Sequence, residues 1–369
     1  MAGARRAEKS AEQGSVLRVV AIGVLALLLV LGVGGFWVYK HLDSNIEAIP
    51  IKGLEHRPAK VVKPHVETQP LNILLLGSDT RDGQGGGIGG QTPGLSDTTI
   101  VLHVSADRKR AYAVSIPRDS MVQMPSCERK DGNGTYAGGL NQFNEAYAIG
   151  GPLCTLATVE AITHVRMDHF VVVDFNGFKK IVDALGGVQI CVPQTVDDTV
   201  GRIHLDAGTY TVDGTKALDY VRERHALGYN QDIGRMARQQ AFLGSMVNKA
   251  VSLGTLTNPV KLYNFLDAVT KSITADSGLA HLKELTSLAE SLHSIGLDHV
   301  RFMTVPWEEY PANHNRVQFK EPEAAALWDR LNNDEPLGAR QRAQSTSAKP
   351  STHLTETERQ HALDNGLCT

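Results

Sequence analysis

Apolar and polar positions along this chain fall into two kinds of block, short β-rich runs and longer helical stretches. Residues 71–77, Leu-Asn-Ile-Leu-Leu-Leu-Gly, form an apolar run closed by glycine, as expected of a buried strand. Residues 98–104 and 110–116 are rich in β-branched side chains and predict a hairpin joined through Ala106-Asp-Arg-Lys109. Further strands are predicted at 169–174, 188–192 and 299–305. Helices are expected over 141–149, 155–163 and 175–185, the last ended by Gly186 and Gly187. More follow near 216–221, 234–253, 260–271 and 279–294. Strands and helices alternate throughout, which predicts one α/β domain over residues 71–332, with a central mixed sheet flanked by helices. Residues 39–70 are polar and proline-punctuated and read as a stalk, and 333–369 as a loose polar tail.

The first fifty residues change the picture. Residues 19–38 hold no charge over twenty positions, long enough to span a bilayer as a transmembrane helix. Arg5, Arg6, Lys9 and Arg18 precede the run; Lys40 follows it, but Asp43 and Glu47 come soon after. The positive-inside rule then puts residues 1–18 in the cytoplasm and everything beyond about residue 40 outside. The run is long for a cleaved signal peptide, and no Ala-x-Ala site follows Trp37. The expected localisation is the cell membrane, single-pass, with an extracytoplasmic domain.

Composition adds two constraints. The formal net charge of −3 over 369 residues gives no bulk attraction to nucleic acid, so none is expected as a partner. Four cysteines, Cys127, Cys154, Cys191 and Cys368, lie in the exported part without zinc-ligand spacing. An even count outside the cytosol favours disulfides, for which three pairings exist. The short, glycine-rich separation favours Cys127 with Cys154, leaving Cys191 with Cys368.

The candidate chemistry is concentrated between Tyr220 and Gln240. Arg222, Arg224, Arg235 and Arg238 fall within this stretch. Arg222 and Arg224 are two apart and share a face if the backbone is extended. Arg235 and Gln239 lie one helical turn apart, with Arg238 adjacent and a helix start near Asp232 and Gly234. A helix amino terminus beside several forked guanidiniums suits a phosphate or pyrophosphate, although exposed arginines are also common on solvated faces. Asp79, Asp97 and the Arg118-Asp119 pair sit at the ends of three predicted strands, where ligands collect in α/β sheets. Two carboxylates beside phosphate oxygens are what Mg²⁺ requires. The glycine-rich stretch 81–95 lacks Gly-Lys-Ser/Thr and is read as a flexible lid.

These segments, taken in order, resemble the LytR–CpsA–Psr cell-wall ligases of actinobacterial type. The resemblance runs from Asn72-Ile-Leu-Leu-Leu-Gly-Ser-Asp-Thr-Arg81 through Ser96-Asp-Thr-Thr-Ile100 and Ser115-Ile-Pro-Arg-Asp119. It continues through Val173-Asp-Phe-Asn-Gly-Phe178 and Asp183-Ala-Leu-Gly-Gly-Val188 to the arginine segment. It implies a membrane-anchored phosphotransferase that moves a glycopolymer from an undecaprenyl-pyrophosphate carrier to peptidoglycan. It further implies that Asp79 and Asp97 hold Mg²⁺, or Mn²⁺ in its place, and that Arg118, Arg222, Arg224, Arg235 and Gln239 grip the pyrophosphate. The residues themselves add Arg238 to this substrate-binding set. Phosphoryl transfer is mainly positioning and charge stabilisation, so arginines and a metal supply most of what it needs.

Many members of that family carry an arginine two residues before the second metal aspartate, where this chain has Leu95. Arg81 and Arg108 are the candidates to replace it. Phe170–Val173, Phe175, Phe178 and Ile181 are candidates to line a lipid pocket, or else ordinary core. Asp79, Asp97 and Asp119 are candidates for the general base. Two other functions share these features: a polyprenyl-pyrophosphate pyrophosphatase with water as acceptor, and a non-catalytic envelope regulator.

Overall fold

A computed structural model describes residues 28–29, 31–64, 66–79, 94–224, 231–251, 258–348, 359 and 367–368. The chain divides into two units, residues 1–45 and 46–369. The first contains helix α1, residues 31–44, whose Leu31, Val33, Phe36 and Trp37 are all exposed. Half of the expected spanning segment 19–38 lies outside the described residues. No helix among those described is long and apolar enough to cross a membrane.

The second unit is built on an eight-stranded sheet. Its strands are β1 (Glu47–Ile49), β2 (Leu71–Ser78), β3 (Ser96–Val104), β4 (Ala111–Ser115), β5 (His169–Asp174), β6 (Ile273–Asp276), β7 (Val300–Thr304) and β8 (Thr346–Ser347). They lie in the order β1-β6-β5-β2-β3-β4-β7-β8. The pairs β1·β6, β5·β2 and β4·β7 are parallel and the others antiparallel, so the sheet is mixed, as expected. The central strands are apolar on both faces because both are covered. Leu74, Leu76, Val101 and Val114 pack under helix α2 (Glu145–Thr163). Ile73, Ile100, Leu102 and Ala113 alternate with them and pack on the opposite side, against Leu285, Leu288 and Leu292.

Other helices are α3 (Phe175–Ala184), α4 (Gly214–Arg222), α5 (Gln231–Ala250), α6 (Pro259–Thr270), α7 (Leu282–Ile295) and α8 (Glu323–Asn332). Asp174 caps α3 and Asp213 caps α4, each through a side-chain oxygen that accepts a backbone N–H. A side lobe forms where the hairpin Val188–Val192/Gly208–Val212 packs on α4 and Phe242 of α5.

Four expectations change in three dimensions. The helix predicted from residue 141 begins at Glu145, because Gly139–Gln142 pairs instead with Met121–Met124. The two helical stretches predicted at 141–149 and 155–163 join across a kink at Gly150 and Gly151, just before Pro152. The segment read as a stalk is held on the domain: β1 extends the sheet, and Arg57 donates to both carboxylate oxygens of Glu160 at 2.6 and 2.8 Å. The tail beyond Asn332 is not loose where described. Leu337 is buried, β8 adds to β7, and both expected disulfides are present, Cys127–Cys154 and Cys191–Cys368, with Cα separations of 5.5 and 5.9 Å. Few apolar residues suffice there because backbone pairing and a crosslink replace side-chain burial.

Candidate active site

The candidate site residues meet at one end of the sheet. β2, β4 and β7 finish there and β3 begins there, so Asp79, Asp97 and Asp119 come from neighbouring strand ends. The pairing of β2 with β3 slips at this point: Gly77 faces Thr98 but Ser78 faces Ser96. Asp97 is thereby bulged out of register, a device that re-aims a side chain. A side chain at position 77 would crowd Thr98, since its Cβ would lie 3.1 Å from Cβ of Thr98.

Asp97 is the hub. Arg118 Nη1 approaches its Oδ1 at 2.6 Å, and Arg224 Nη2 approaches the same oxygen at 3.7 Å. Arg235 Nη1 donates to its backbone carbonyl at 3.3 Å. Three arginines from the end of β4, the residues after α4 and the start of α5 therefore converge on one residue. Asp97 Oδ2 carries no such contact among the described residues. Asp79 lies on the adjoining strand end, where its carboxylate accepts the N–H of Leu95 and its own N–H donates to the Leu95 carbonyl at 3.1 Å. Asp79 and Asp97 are the residues that could hold a divalent cation here, which would complete its shell with water and phosphate oxygens.

Arg118 also donates through Nε to Asp119 Oδ2 at 3.2 Å. The other oxygen, Asp119 Oδ1, accepts from Gln142 and lies 3.6 Å from Nη1 of Arg316. Nothing in the sequence pointed to Gln142 or Arg316, because each contact crosses between distant segments and neither residue sits in a motif.

The remaining predicted residues have different surroundings. Arg222 ends α4 rather than an extended run, so it does not pair with Arg224 on one strand face. It is exposed, with its guanidinium carbon 4.8 Å from the centre of the Phe175 ring. Arg238 is fully buried and faces Glu223: its Nη2 donates to the Glu223 carbonyl at 2.5 Å and lies 3.3 Å from the carboxylate. Burial pushes the Arg238 guanidinium pKa down while Glu223 opposes the shift. Gln239 donates to the Val221 carbonyl at 3.2 Å. Both side chains thus satisfy carbonyls at the C-terminal end of α4 and lock the two arginine helices together. Gln240, buried, donates to Ser115 and Thr304 hydroxyls at 2.9 and 3.3 Å, which ties α5 to the sheet. Tyr220, beneath the same helices, has its phenol pushed up to about 12 by burial.

Arg108 cannot stand in for the missing arginine at Leu95. It occupies the β3–β4 turn at the far end of β3 and donates to carbonyls of Gln69 and Ser105. At about 3.4 Å per residue, the nine-residue strand keeps it roughly 30 Å from the cluster. Arg81, the other candidate, lies outside the described residues, as do residues 81–93 of the expected lid. The apolar residues proposed for a lipid pocket do not line one space. Phe170 and Val172 join the α2 side of the core, Val171 and Val173 the opposite side, and Phe175 and Phe178 the side lobe.

The domain thus gathers several guanidiniums and two carboxylates at its strand ends, a donor set of the kind that suits an oxyanion. The model of the LytR_cpsA_psr family matches residues 38–333, and the chain belongs to that family. A cell wall biosynthesis protein LcpA of Corynebacterium glutamicum is 34% identical over 261 residues, covering 64% of this chain and 49% of that protein. The chain thus spans about half the length of that relative. A polyisoprenyl-teichoic acid–peptidoglycan teichoic acid transferase TagU of Enterococcus faecalis is 30% identical over 283 residues, covering 74% of this chain and 83% of that protein. Among solved structures, a LytR-Csp2A-Psr enzyme from Actinomyces oris superposes with a TM-score of 0.56 at 22% identity, covering 75% of this chain and 96% of that one. That likeness establishes the shared fold.

Proposed function

We propose that the chain is a membrane-anchored, extracytoplasmic phosphotransferase that moves a glycopolymer from an undecaprenyl-pyrophosphate carrier to peptidoglycan. The observation that carries this reading is the convergence of Arg118, Arg224 and Arg235 on the bulged Asp97. A pyrophosphate diester carries charge on both phosphates, and forked guanidiniums held in place by packing are suited to it. In the reaction an acceptor sugar hydroxyl attacks the sugar-linked phosphorus. The bond from that phosphorus to the bridging oxygen breaks, the lipid phosphate departs, and the hydroxyl proton is lost. Arg118 and Arg235, both largely buried, hold the phosphoryl oxygens without needing to reorganise. Mg²⁺ held by Asp79 and Asp97 would neutralise charge on the same oxygens.

The names of the relatives support the reading, since one is a teichoic acid transferase and another a cell wall biosynthesis protein. The exposed apolar side chains of α1 and the uncharged run 19–38 support a membrane anchor. The test is incubation of the full chain in detergent with a pyrophosphate-linked glycolipid and peptidoglycan fragments. A phosphodiester-linked glycan–peptidoglycan product, dependent on a divalent cation, is expected. Phosphorylated glycan released to water with none attached would instead make the protein a pyrophosphatase.

A further inference from the structure

The cluster is close to symmetric about Arg118, and the symmetry exposes a residue that no motif announced. Arg118 is the central cation, 15% exposed, gripped by Asp97 on one side and Asp119 on the other. Beyond Asp97 stands Arg224, 32% exposed; beyond Asp119 stands Arg316, 35% exposed. The row therefore reads Arg224, Asp97, Arg118, Asp119, Arg316. Each outer arginine holds its carboxylate at a loose distance, 3.7 and 3.6 Å, and faces solvent with the rest of its fork.

Arg316 is placed there by structure, not by chance. It leads into the second strand of the hairpin Trp307–Glu309/Val317–Phe319, which follows the site end of β7. Val317 N–H donates to the Asp119 carbonyl at 3.3 Å, and Val317 bridges Ser120, so the backbone beside Arg316 is fastened to the residues that carry Asp119. The Arg316 contacts are Nη1 with Asp119 and Nη1 donating to the Asn315 carbonyl at 3.4 Å. Its Nε and Nη2 make no hydrogen bond among the described residues. Arg118, by contrast, has Nε and Nη1 engaged by carboxylates. A dianionic ligand can draw on more donors than the buried arginines supply, and Arg224 and Arg316 are the two half-exposed forks of this row that add them.

We infer that Arg316 is a phosphate-contacting residue of the donor site, the counterpart of Arg224 on the opposite flank of Arg118. Asp119 is its positioning partner: saturated by Arg118, Gln142 and Arg316, it orients cations. This rests on the diphosphate reading of the site and adds a contact to it.

The test uses the full chain in detergent and geranylgeranyl diphosphate as a sugar-free probe, with binding followed by titration calorimetry. Arg316→Ala and Arg316→Gln should each weaken binding about tenfold with unchanged melting temperature, and Arg316→Lys about threefold, because lysine keeps the charge but loses the fork. Arg129→Ala, an exposed residue in a separate hairpin, should bind as the wild type does. Wild-type affinity in both Arg316→Ala and Arg316→Gln, while the wild-type chain binds the probe, overturns the inference and leaves the diphosphate site standing. A rise confined to the KM for peptidoglycan fragments also overturns it, by assigning Arg316 to the acceptor. A wild-type chain that binds no diphosphate overturns the site as a whole, Arg316 included.

Discussion

The two ends of the central sheet hold similar groups in opposite states. At the far end, Asp334 Oδ1 lies 3.2 Å from His103 Nε2, and its carboxylate also accepts the N–H of Ala106 and faces Arg110 at 3.5 Å. His103 Nδ1 meets Asn72 Oδ1 at 2.7 Å, and nothing of that ring reaches solvent. Asp276 is closed in the same way by His169 and the N–H groups of Phe170 and Gly278. At the site end Asp97 and Asp119 each face two guanidiniums, and the outermost forks are half-exposed. Burial and ion pairing are common to both ends. What sets the site apart is a surplus of oriented donors, which a closed network lacks and an anionic ligand would fill.

The comparison can be broken most sharply at Arg238, which belongs to the arginine segment yet behaves like the far end. Arg238→Ala leaves the Glu223 charge buried and is expected to cost roughly 3–5 kcal/mol of stability, read by denaturant melts. A change in transfer rate with stability intact would move Arg238 into the site. Asp97→Ala removes the hub; transfer should fall at least a hundredfold, about 2.7 kcal/mol, and its divalent-cation dependence should weaken. A rate within threefold of wild type would detach Asp97 from the chemistry.

The far end should respond in stability alone. Burial works against ionisation of Asp276 and Asp334, but hydrogen bonds from His169 and His103 and from backbone N–H groups hold both carboxyls below the usual range. Groups depressed in the folded state stabilise it fully above the unfolded carboxyl value near about 4, and that stability is lost as pH falls through the lower folded values. Asp276→Asn with Asp334→Asn should therefore lower stability by on the order of 2 kcal/mol at pH 7 and flatten its acid dependence below about pH 4. Transfer rates at neutral pH and low temperature should stay as in wild type. An unaltered acid transition would show that these hydrogen bonds do not govern it.

Smaller effects grade the site itself. Arg118→Ala, Arg224→Ala and Arg235→Ala should each lower transfer tenfold or more, about 1.4 kcal/mol. Arg222→Ala should cost about two- to fivefold, since Arg222 stands over Phe175 and forms no ion pair with Asp97 among the described residues. Equal losses at all four would restore Arg222 to the cage on the same footing. Arg129→Ala should change nothing measurable.

Much of this was legible in the residues. The run 71–77, the hairpin from 98 to 116 and the strand 169–174 each carried their own periodicity, and the strands they form lie within a residue or two of the predicted bounds. Arg118, Arg224 and Arg235 were singled out by their placement near strand and helix ends, but their common partner, Asp97, emerges only in the fold. The extended pairing of Arg222 with Arg224 failed because α4 runs through Arg222 and its capping decides the backbone there. Arg316 and Gln142 were invisible, since a loop arginine and a strand glutamine have no local signature.

Sequence by itself determined the elements, the apolar faces that fix which way each strand turns, and the cysteine set. Those properties depend on neighbours within a few residues, so they survive in one dimension. Only the tertiary structure decided which partner each buried arginine meets. Arg235 and Arg238 differ by three positions on one helix, yet one reaches Asp97 and the other Glu223. That choice follows from how α5 docks on the sheet through Gln240 and on α4 through Gln239, contacts that join residues far apart along the chain.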